Sequence, residues 1–489
     1  MSSKKHVLLL FTDQQRWDTI HALGSQSAVT PNLDKLARES DVFHTCYTPS
    51  PVCAPARLSL YSGLYPAKHG SSNNSPNIVY QENGFYEMLT DAGYNTCAIG
   101  KMHFIHDRYG LHGFKRRITQ EELPDPKDDY TNFLLNTDYN YVVDYNGERS
   151  EMYYIPQISQ LPQKYHPTQW IGDQSVKFIE EADLDDPMFL VSSFIHPHPP
   201  FAPPVPWNKI HRQEMYEPFV PENSEELISY HNYGQNSYKG LSAGIDRHLV
   251  TQIRNFYYDC ITFVDYQIGR IIDALKARGI YENTMIIFAS DHGELLGDYN
   301  CLGKRCMLDA AAKIPLLIHY PGKRSPHCEN VCSLLDLAPT ILQYAGVEPG
   351  HDFDGKDLYD ETWEREFVYS QYANGTTGLY MIASAQDKLI YSAADQVCWY
   401  FDLFPERENH YREENPRCRK MKELLTEYID SDCALDPDTC VVDMAKVKAE
   451  HRYKLVKQDS VMRMKDEQAM LPEGYHLELE LEYTWAKKK

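Results

Sequence analysis

The chain has 489 residues, 42% of them hydrophobic, and carries 48 basic against 70 acidic side chains for a formal charge of −22. That charge excludes a general nucleic-acid binder or an anionic-membrane binder, since both need a positive face. It also disfavours long polyanionic substrates unless a local cationic pocket overrides the global field. No run of about 18 apolar residues is present, so no membrane span is expected. The size and apolar content support a large core, with one big domain and a smaller one.

The predicted elements follow in chain order. The start, "MSSKKHVLLLF", holds only a short apolar run, too short for a signal peptide, and a cytoplasmic protein is expected. Within it "HVLLLF" (6–11) reads as a buried strand, and "TPNLDKLARES" (30–40) as a helix. "SPVCAPARLSLYSGLYP" (50–66) then predicts a helix starting near Pro55. "NTCAIG" (95–100) is a second strand, and residues 115–170 form a polar insertion rich in Tyr, Asp and Asn. "MFLVSSFI" (188–195) is a third strand. A second insertion, 197–245, opens with "PHPPFAPPVPW" and stays irregular. Beyond it "FVDYQIGRIIDALKARG" (263–279) reads as a helix, and "TMIIFAS" (284–290) and "IPLLIHY" (314–320) as strands. "SLLDLAPTILQYAGV" (333–347) is a helix ending near Gly346. This alternation predicts an α/β fold with a doubly wound, mostly parallel sheet.

From residue 366 the texture changes to an antiparallel meander, followed by the helical "KMKELLTEYI". The reading is therefore a catalytic domain over 1–365 and a smaller C-terminal α+β domain over 366–489. The tail "HLELELEYTW" (476–485) alternates Leu and Glu, as an edge strand open to pairing with another subunit, so a homo-oligomer is an expectation. The twelve cysteines show no CxxC spacing, which fits free thiols in a reducing compartment.

Among the motifs, "CAPAR" has a local physical reading. A thiol at a helix mouth lies where free N–H groups and the helix dipole favour negative charge. Cys53 would ionise readily there, and an anionic ligand would be welcome. Arg57, one turn on, would share its face. Alone, C-x-P-x-R is more often a buried cysteine and a surface arginine.

The strand ends decide. Ligands of open α/β sheets bind beyond the carboxyl ends of the strands. Asp13 and Gln14 follow the first strand, Lys101 and His103 the second, His196 and His198 the third, and Asp291 and His292 the fourth. Two carboxylates, an amide oxygen and an imidazole suit a hard divalent cation such as Ca²⁺, Mg²⁺ or Mn²⁺. Either aspartate alone would more often be a helix cap. Lys101, His103, His198, Lys304 and Arg57 are then cations and proton donors around a metal-held nucleophile. That set suits attack on a negatively charged tetrahedral ester.

"CAPAR" followed by "LSLYSGLYP" resembles the sulfatase signature, and "GKMHF", "SDHGELLGD…GK" and "DLAPTIL" resemble further elements of that family in the same order. The C-terminal "QDKLIY…YFDLFPERENHY" is similar to the family as well. The resemblance implies an alkaline-phosphatase-like fold and a formylglycine-dependent sulfuric ester hydrolase. Cys53 would be oxidised to formylglycine by a formylglycine-generating or sulfatase-maturating enzyme, with Arg57 steadying the hydrated aldehyde. By position, Asp13, Gln14, Asp291 and His292 would hold the metal, with Ca²⁺ first and Mn²⁺ or Mg²⁺ as alternatives. Lys101 and Lys304 match the sulfate-binding lysines, His103 the histidine that breaks down the sulfated intermediate, and His198 the histidine at the leaving group. Asn74 corresponds to a polar substrate-side residue, with His196 as a second substrate-side candidate. The expected substrate is a small or short-oligosaccharide ester: a sugar, aryl or small alkyl sulfate.

Asp13-Gln14 departs from the Asp-Asp of many sulfatases, removing one charge and narrowing the advantage of Ca²⁺ over Mn²⁺. With Pro-His-Pro-Pro-Phe and Leu-Gly-Lys, it is similar to the phosphonate monoester hydrolases, so a phosphonate monoester or phosphodiester hydrolase is the alternative. Those relatives lack the Lys-x-His pair that Lys101 and His103 supply here. A non-catalytic binder of sulfated ligands is a further alternative, disfavoured because a binder needs no formylglycine precursor.

Overall fold

The structure, a computed structural model, describes residues 4–74, 84–149, 153–212, 217–238, 246–433, 475–480 and 483–488. Parts of both insertions (150–152, 213–216 and 239–245) and of the C-terminal region (434–474) lie outside the described residues.

The central sheet has seven strands: β1 (His6–Asp13), β2 (Asp41–Val42), β3 (Asn95–Gly100), β4 (Arg116–Thr119), β5 (Met188–Pro197), β6 (Thr284–Ser290) and β7 (Leu316–His319). Their spatial order is β2-β7-β6-β1-β5-β3-β4. β6, β1, β5, β3 and β4 run parallel. Three expectations change in the details. β7 is antiparallel to β6, with Ile287 opposite Ile318. The neighbouring Lys313–Ile314 leaves the predicted 314–320 strand for a small sheet with Thr45–Tyr47 and Val331–Ser333. The first insertion is not wholly inserted, since β4 within it completes one edge of the main sheet.

β1 shows why the sheet is a middle layer. All eight of its residues are buried, and alternate side chains enter different cores. Leu8 and Leu10 pack with α1 (Pro31–Glu39), α3 (Pro167–Glu181) and the long α4 (Arg247–Ala277). Val7, Leu9 and Phe11 pack with α2 (Cys53–Ser62) and α5 (Leu337–Ala345). Each such side chain contributes about 1.5–3 kcal/mol by leaving water. A near-continuous apolar strand is what burial on both faces requires.

The C-terminal sheet is antiparallel: β8 (Val368–Tyr372), β9 (Leu379–Ala383), β10 (Lys388–Ser392) and β11 (Val397–Phe401). One face packs on α6 (Pro416–Asp430) through Ile382, Leu389, Met421 and Leu425. The other meets the central-sheet layer through Met381, Ile390, Leu295 and Met307. The α/β class with a parallel central sheet and a separate antiparallel C-terminal sheet is therefore as expected. The tail, expected as a single edge strand, is a hairpin: β12 (Tyr475–Glu480) pairs antiparallel with β13 (Tyr483–Lys488). Eleven cysteines fall in the described residues, and no disulfide joins any two of them. No described helix is long and apolar enough to cross a membrane.

Candidate active site

The strand ends converge as the sequence suggested. β1 ends at Asp13, where the register with β5 slips. Gln14 follows with φ 68°, a left-handed turn that redirects the chain at the strand's end. β3 ends at Gly100, φ 93°, where a Cβ would lie 2.0 Å from the Ser193 carbonyl oxygen. Only glycine lets the chain leave β3 at that approach, and Lys101 follows.

α2 begins at Cys53 itself, with Val52 as its uncapped N-cap, so the thiol occupies the first helical position. The Cys53 Sγ lies 3.0 Å from Lys304 Nζ, 3.2 Å from His292 Nε2 and 3.6 Å from Asp13 Oδ1. One turn on, Arg57 sends Nε to Asp291 (2.9 Å) and Nη2 to Asp13 (3.3 Å). Its Nη1 donates to the Lys101 carbonyl (2.7 Å) and to Ser193 Oγ (3.0 Å). Arg57 is a buried frame that holds both carboxylates and two strand ends together.

Asp13, Cys53, Asp291 and His292 offer ligand atoms all within 4.8 Å of one another. Gln14 joins them, because Lys304 Nζ contacts both its Oε1 (2.7 Å) and His292 Nε2 (3.1 Å). The donor set is two carboxylates, one amide oxygen and one imidazole, and a lysine ammonium already nests against part of it. That chemistry fits a hard divalent cation. Asp291 also caps its own turn, since Oδ1 accepts from the Gln14 and His292 amides.

The electrostatics favour anions. Burial and Asp13 push the Cys53 thiol up, but Lys101, Lys304 and His292 outweigh them and hold it well below the ordinary thiol range. Burial also opposes ionisation of Asp13, yet Lys101, His198, Lys304 and Arg57 hold it well below the usual carboxylate range. Lys101 is fully buried, and its Nζ lies 2.6 Å from Asp13 and 3.4 Å from Glu122. Burial lowers its pKa, and Asp13, Cys53 and Glu122 more than offset this and raise it.

Cys53 and Lys304 line a cleft of about 510 Å³, together with Asn74, His198 and residues from the first insertion. His198 donates Nδ1–H to the Pro199 carbonyl (2.7 Å), leaving Nε2 toward Tyr153 OH (3.3 Å) and Glu122 (3.5 Å). Burial, then Lys304, lowers its pKa. Asn74 accepts the Ala54 amide (3.1 Å), closing the first turn of α2. His103 sits at φ 57° with its amide held by Glu121. Its Nδ1 is buried without a partner.

His196 is the exception. It was expected on the substrate side, but it turns inward: Nδ1 meets Thr168 Oγ1 at 3.2 Å, and the ring lies 5.1 Å from that of His166. Residues two apart on a regular strand share a face, but β5 ends at Pro197 and the chain turns there, the His198 amide donating to the Ile195 carbonyl (2.9 Å), so of this pair only His198 lines the cleft.

Sequence reasoning missed Glu122, Arg149, Tyr153 and Tyr154, which come from an insertion with no periodicity to anchor them. It also left Glu294 without a role. That fully buried carboxylate accepts from Gln14 Nε2, Tyr154 OH (3.2 Å), the Leu296 amide (3.0 Å) and the Gly303 amide. With Nε2 committed to Glu294, the oxygen of Gln14 must face the metal set. The signal was present in "DHGE", but only the register between β1 and β6 reveals the partner.

The Sulfatase family model matches residues 5–347, and the model for the C-terminal part of N-sulphoglucosamine sulphohydrolase matches residues 297–430. An arylsulfatase of Clostridium perfringens (strain 13 / Type A) is 29% identical over 433 residues, spanning 82% of this chain and 88% of that protein. The sulfatase YidJ of Escherichia coli (strain K12) is 30% identical over 371 residues, spanning 73% and 70% of the two chains. In fold, the crystal structure of a phosphonate monoester hydrolase of Agrobacterium radiobacter is similar with a TM-score of 0.71 at 23% identity, covering 88% of this chain and 96% of that one.

Proposed function

The chain belongs to the sulfatase family, and from that premise we propose that it hydrolyses sulfate monoesters through a formylglycine made from Cys53. One observation carries the reading. A lone thiol at a helix N-terminus lies within 3.6 Å of Lys304, His292 and Asp13, facing a cleft of about 510 Å³.

As formylglycine, residue 53 supplies an aldehyde whose hydrate is the nucleophile toward sulfur. The oxidation is the work of a maturation enzyme, which is thus a partner of this chain. Asp13, Gln14, Asp291 and His292 would hold the divalent cation, with Ca²⁺ first and Mn²⁺ or Mg²⁺ as alternatives. Bound there, the cation supplies a fixed positive charge and Lewis acidity.

The remaining steps fall to side chains. Lys101 and Lys304 bind the sulfate oxygens from two directions, in a site dry enough to strengthen each contact. Arg57 keeps residue 53 and both aspartates in register. Lys304 hands a proton to the departing alcohol oxygen, and His198, held at the cleft by Glu122 and Tyr153, is the second donor once its Nε2 has taken up a proton. His103, with an unpartnered Nδ1, takes up a proton as sulfate leaves. Asn74 orients the leaving group from the rim. Tyr153 and Tyr154 give the cleft flat apolar walls suited to a sugar or aryl ring.

Gln14 in the metal set favours a second reading, a phosphonate monoester or phosphodiester hydrolase on the same scaffold. The test is kcat/KM for an aryl sulfate against the matching aryl phosphonate monoester, with Cys53→Ala as the blank. A clear sulfate preference supports the reading. A clear phosphonate preference keeps the machinery and overturns the substrate.

A further inference from the structure

We propose that the cleft holds a second anion site, built from Arg149 and Arg305, that takes a second oxyanion group on the alcohol portion of the substrate. The inference rests on the sulfatase reading and narrows it to esters whose alcohol itself carries a carboxylate or another sulfate.

The charges in the cleft are unequal. Among the described residues that line it, Glu122 is the only acid. Its carboxylate is already engaged by Lys101, Arg149 and His198. Among the described lining residues nothing acidic remains for a further cation. Yet two guanidinium groups line the same cleft with donors to spare.

Arg149 is fixed at one edge. Its Nη2 donates to Glu122, and the guanidinium lies over the Tyr153 ring at 5.1 Å. Its Nη1 is buried and has no partner. Arg305 directly follows Lys304 and adopts φ 69°, with its amide on the Pro51 carbonyl (3.2 Å). Its guanidinium lies 5.7 Å from the centre of the Tyr372 ring. Its Nε is buried without a partner, and among the described residues its side chain makes no hydrogen bond or ion pair.

A buried donor left without a partner carries its full desolvation cost, so such donors ordinarily find partners. Two of them on cations, in one cleft of a chain with net charge −22, are the reverse of a solvated surface face. A planar oxyanion matches the guanidinium fork, and Arg suits this better than Lys because its donors are fixed in a plane. Both rings under the arginines are aromatic, which limits how far either guanidinium can swing. On the sulfatase reading the transferring sulfate is met by Lys101 and Lys304 beside Cys53, so the arginines are left for a second group on the alcohol portion.

The test uses matched aryl sulfates that differ only in the ring: unsubstituted, carrying a carboxylate, or carrying a second sulfate. In the full-length protein, kcat/KM for the better dianion is expected to exceed that of the plain ester by roughly tenfold or more, about one charge-assisted pair. The gain should appear in KM and shrink as salt rises. In Arg305→Gln the ratio should fall toward one. In Arg149→Gln it should fall as well, and Arg305→Lys should retain part of it. Whether carboxylate or sulfate gains more identifies the group. Calorimetric binding of the same esters to Cys53→Ala reads the preference without turnover. A ratio near one in the unaltered protein, or a ratio that survives both glutamine variants, overturns the second site. Failure to cleave any ester, with tighter dianion binding that Arg305→Gln abolishes, would overturn the sulfatase reading and leave the site standing.

Discussion

Two lysines among the described residues are completely buried, and they do different work. Lys101 stands at the end of β3 in the active site, and Lys388 begins β10 in the C-terminal sheet. Both keep a raised pKa, because facing carboxylates more than offset burial. Lys388 is fully matched: Asp309 lies at 2.7 Å, Glu406 pairs with it, and the Met307 carbonyl accepts at 2.8 Å. Those carboxylates are held in turn by Tyr47 and Tyr299. No residue of that cluster lines the cleft at Cys53, and it clamps the C-terminal sheet to the central-sheet layer. The carboxylates facing Lys101 are shared instead. Asp13 also serves Arg57 and Cys53, and Glu122 also serves Arg149 and His198. A buried ion cluster with every charge matched is architecture. One whose carboxylates are each shared among several cations beside a cleft is built for an anion.

Exchanging the lysines tests that contrast most severely. Lys101→Met is expected to lower kcat/KM by about 10²–10³, the usual scale for losing a group that stabilises developing charge. Its effect on the urea midpoint should be the smaller of the two. Lys388→Met leaves Asp309 and Glu406 buried without their cation and should cost about 3–5 kcal/mol of stability. The kcat of the folded fraction should change little. Equal destabilisation by both, with activity intact in Lys101→Met, would erase the distinction.

The buried glutamates sharpen it further. Glu294→Gln frees the Gln14 amide to turn and should weaken divalent-metal affinity about 10–100-fold, as losing an outer-shell partner does. Glu406→Gln should leave that affinity alone. Metal titration of both variants decides.

His69 supplies the smallest effect, from a buried group that has no charge partner among the described residues. Burial depresses its pKa to about 3, with Ser59 and Ser71 on its two ring nitrogens. The unfolded chain takes up a proton near pH 6.5 and the folded chain does not. Its stabilising contribution is therefore complete above pH 6.5 and is lost as pH falls from there toward 3. By pH 5 that loss is about 2 kcal/mol. The Tm should fall between pH 7 and 5, and His69→Gln should flatten the slope. An unchanged slope would mean His69 is protonated in the folded state.

Much of this was legible in the sequence, for a physical reason. β3 and β6 were bounded as found, because a run such as "TMIIFAS" between turn signals has few alternatives. The strand-end rule then brought Asp13, Lys101, His198 and Asp291 to one edge without any side-chain coordinates. The turn of β7 against β6 was not legible, since an apolar run carries no mark of direction. α4 is longer than its clear 263–279 core, extending back to Arg247 through a stretch of mixed polarity. His196 and His198 could not be told apart by sequence, since alternation alone gives residues two apart the same face and the turn that carries His198 past the end of β5 has no sequence mark. Glu122 and Arg149 lay in an insertion whose fold is set by tertiary contacts, and Glu294 by a hydrogen bond to a residue 280 positions away.

The most direct measurement is the mass of the peptide containing residue 53, taken on protein made with and without a formylglycine-generating or maturating enzyme, alongside arylsulfatase turnover. The expected result is an aldehyde at residue 53 and turnover that scales with its fraction. Full turnover from protein whose Cys53 is wholly an intact thiol would contradict the formylglycine mechanism.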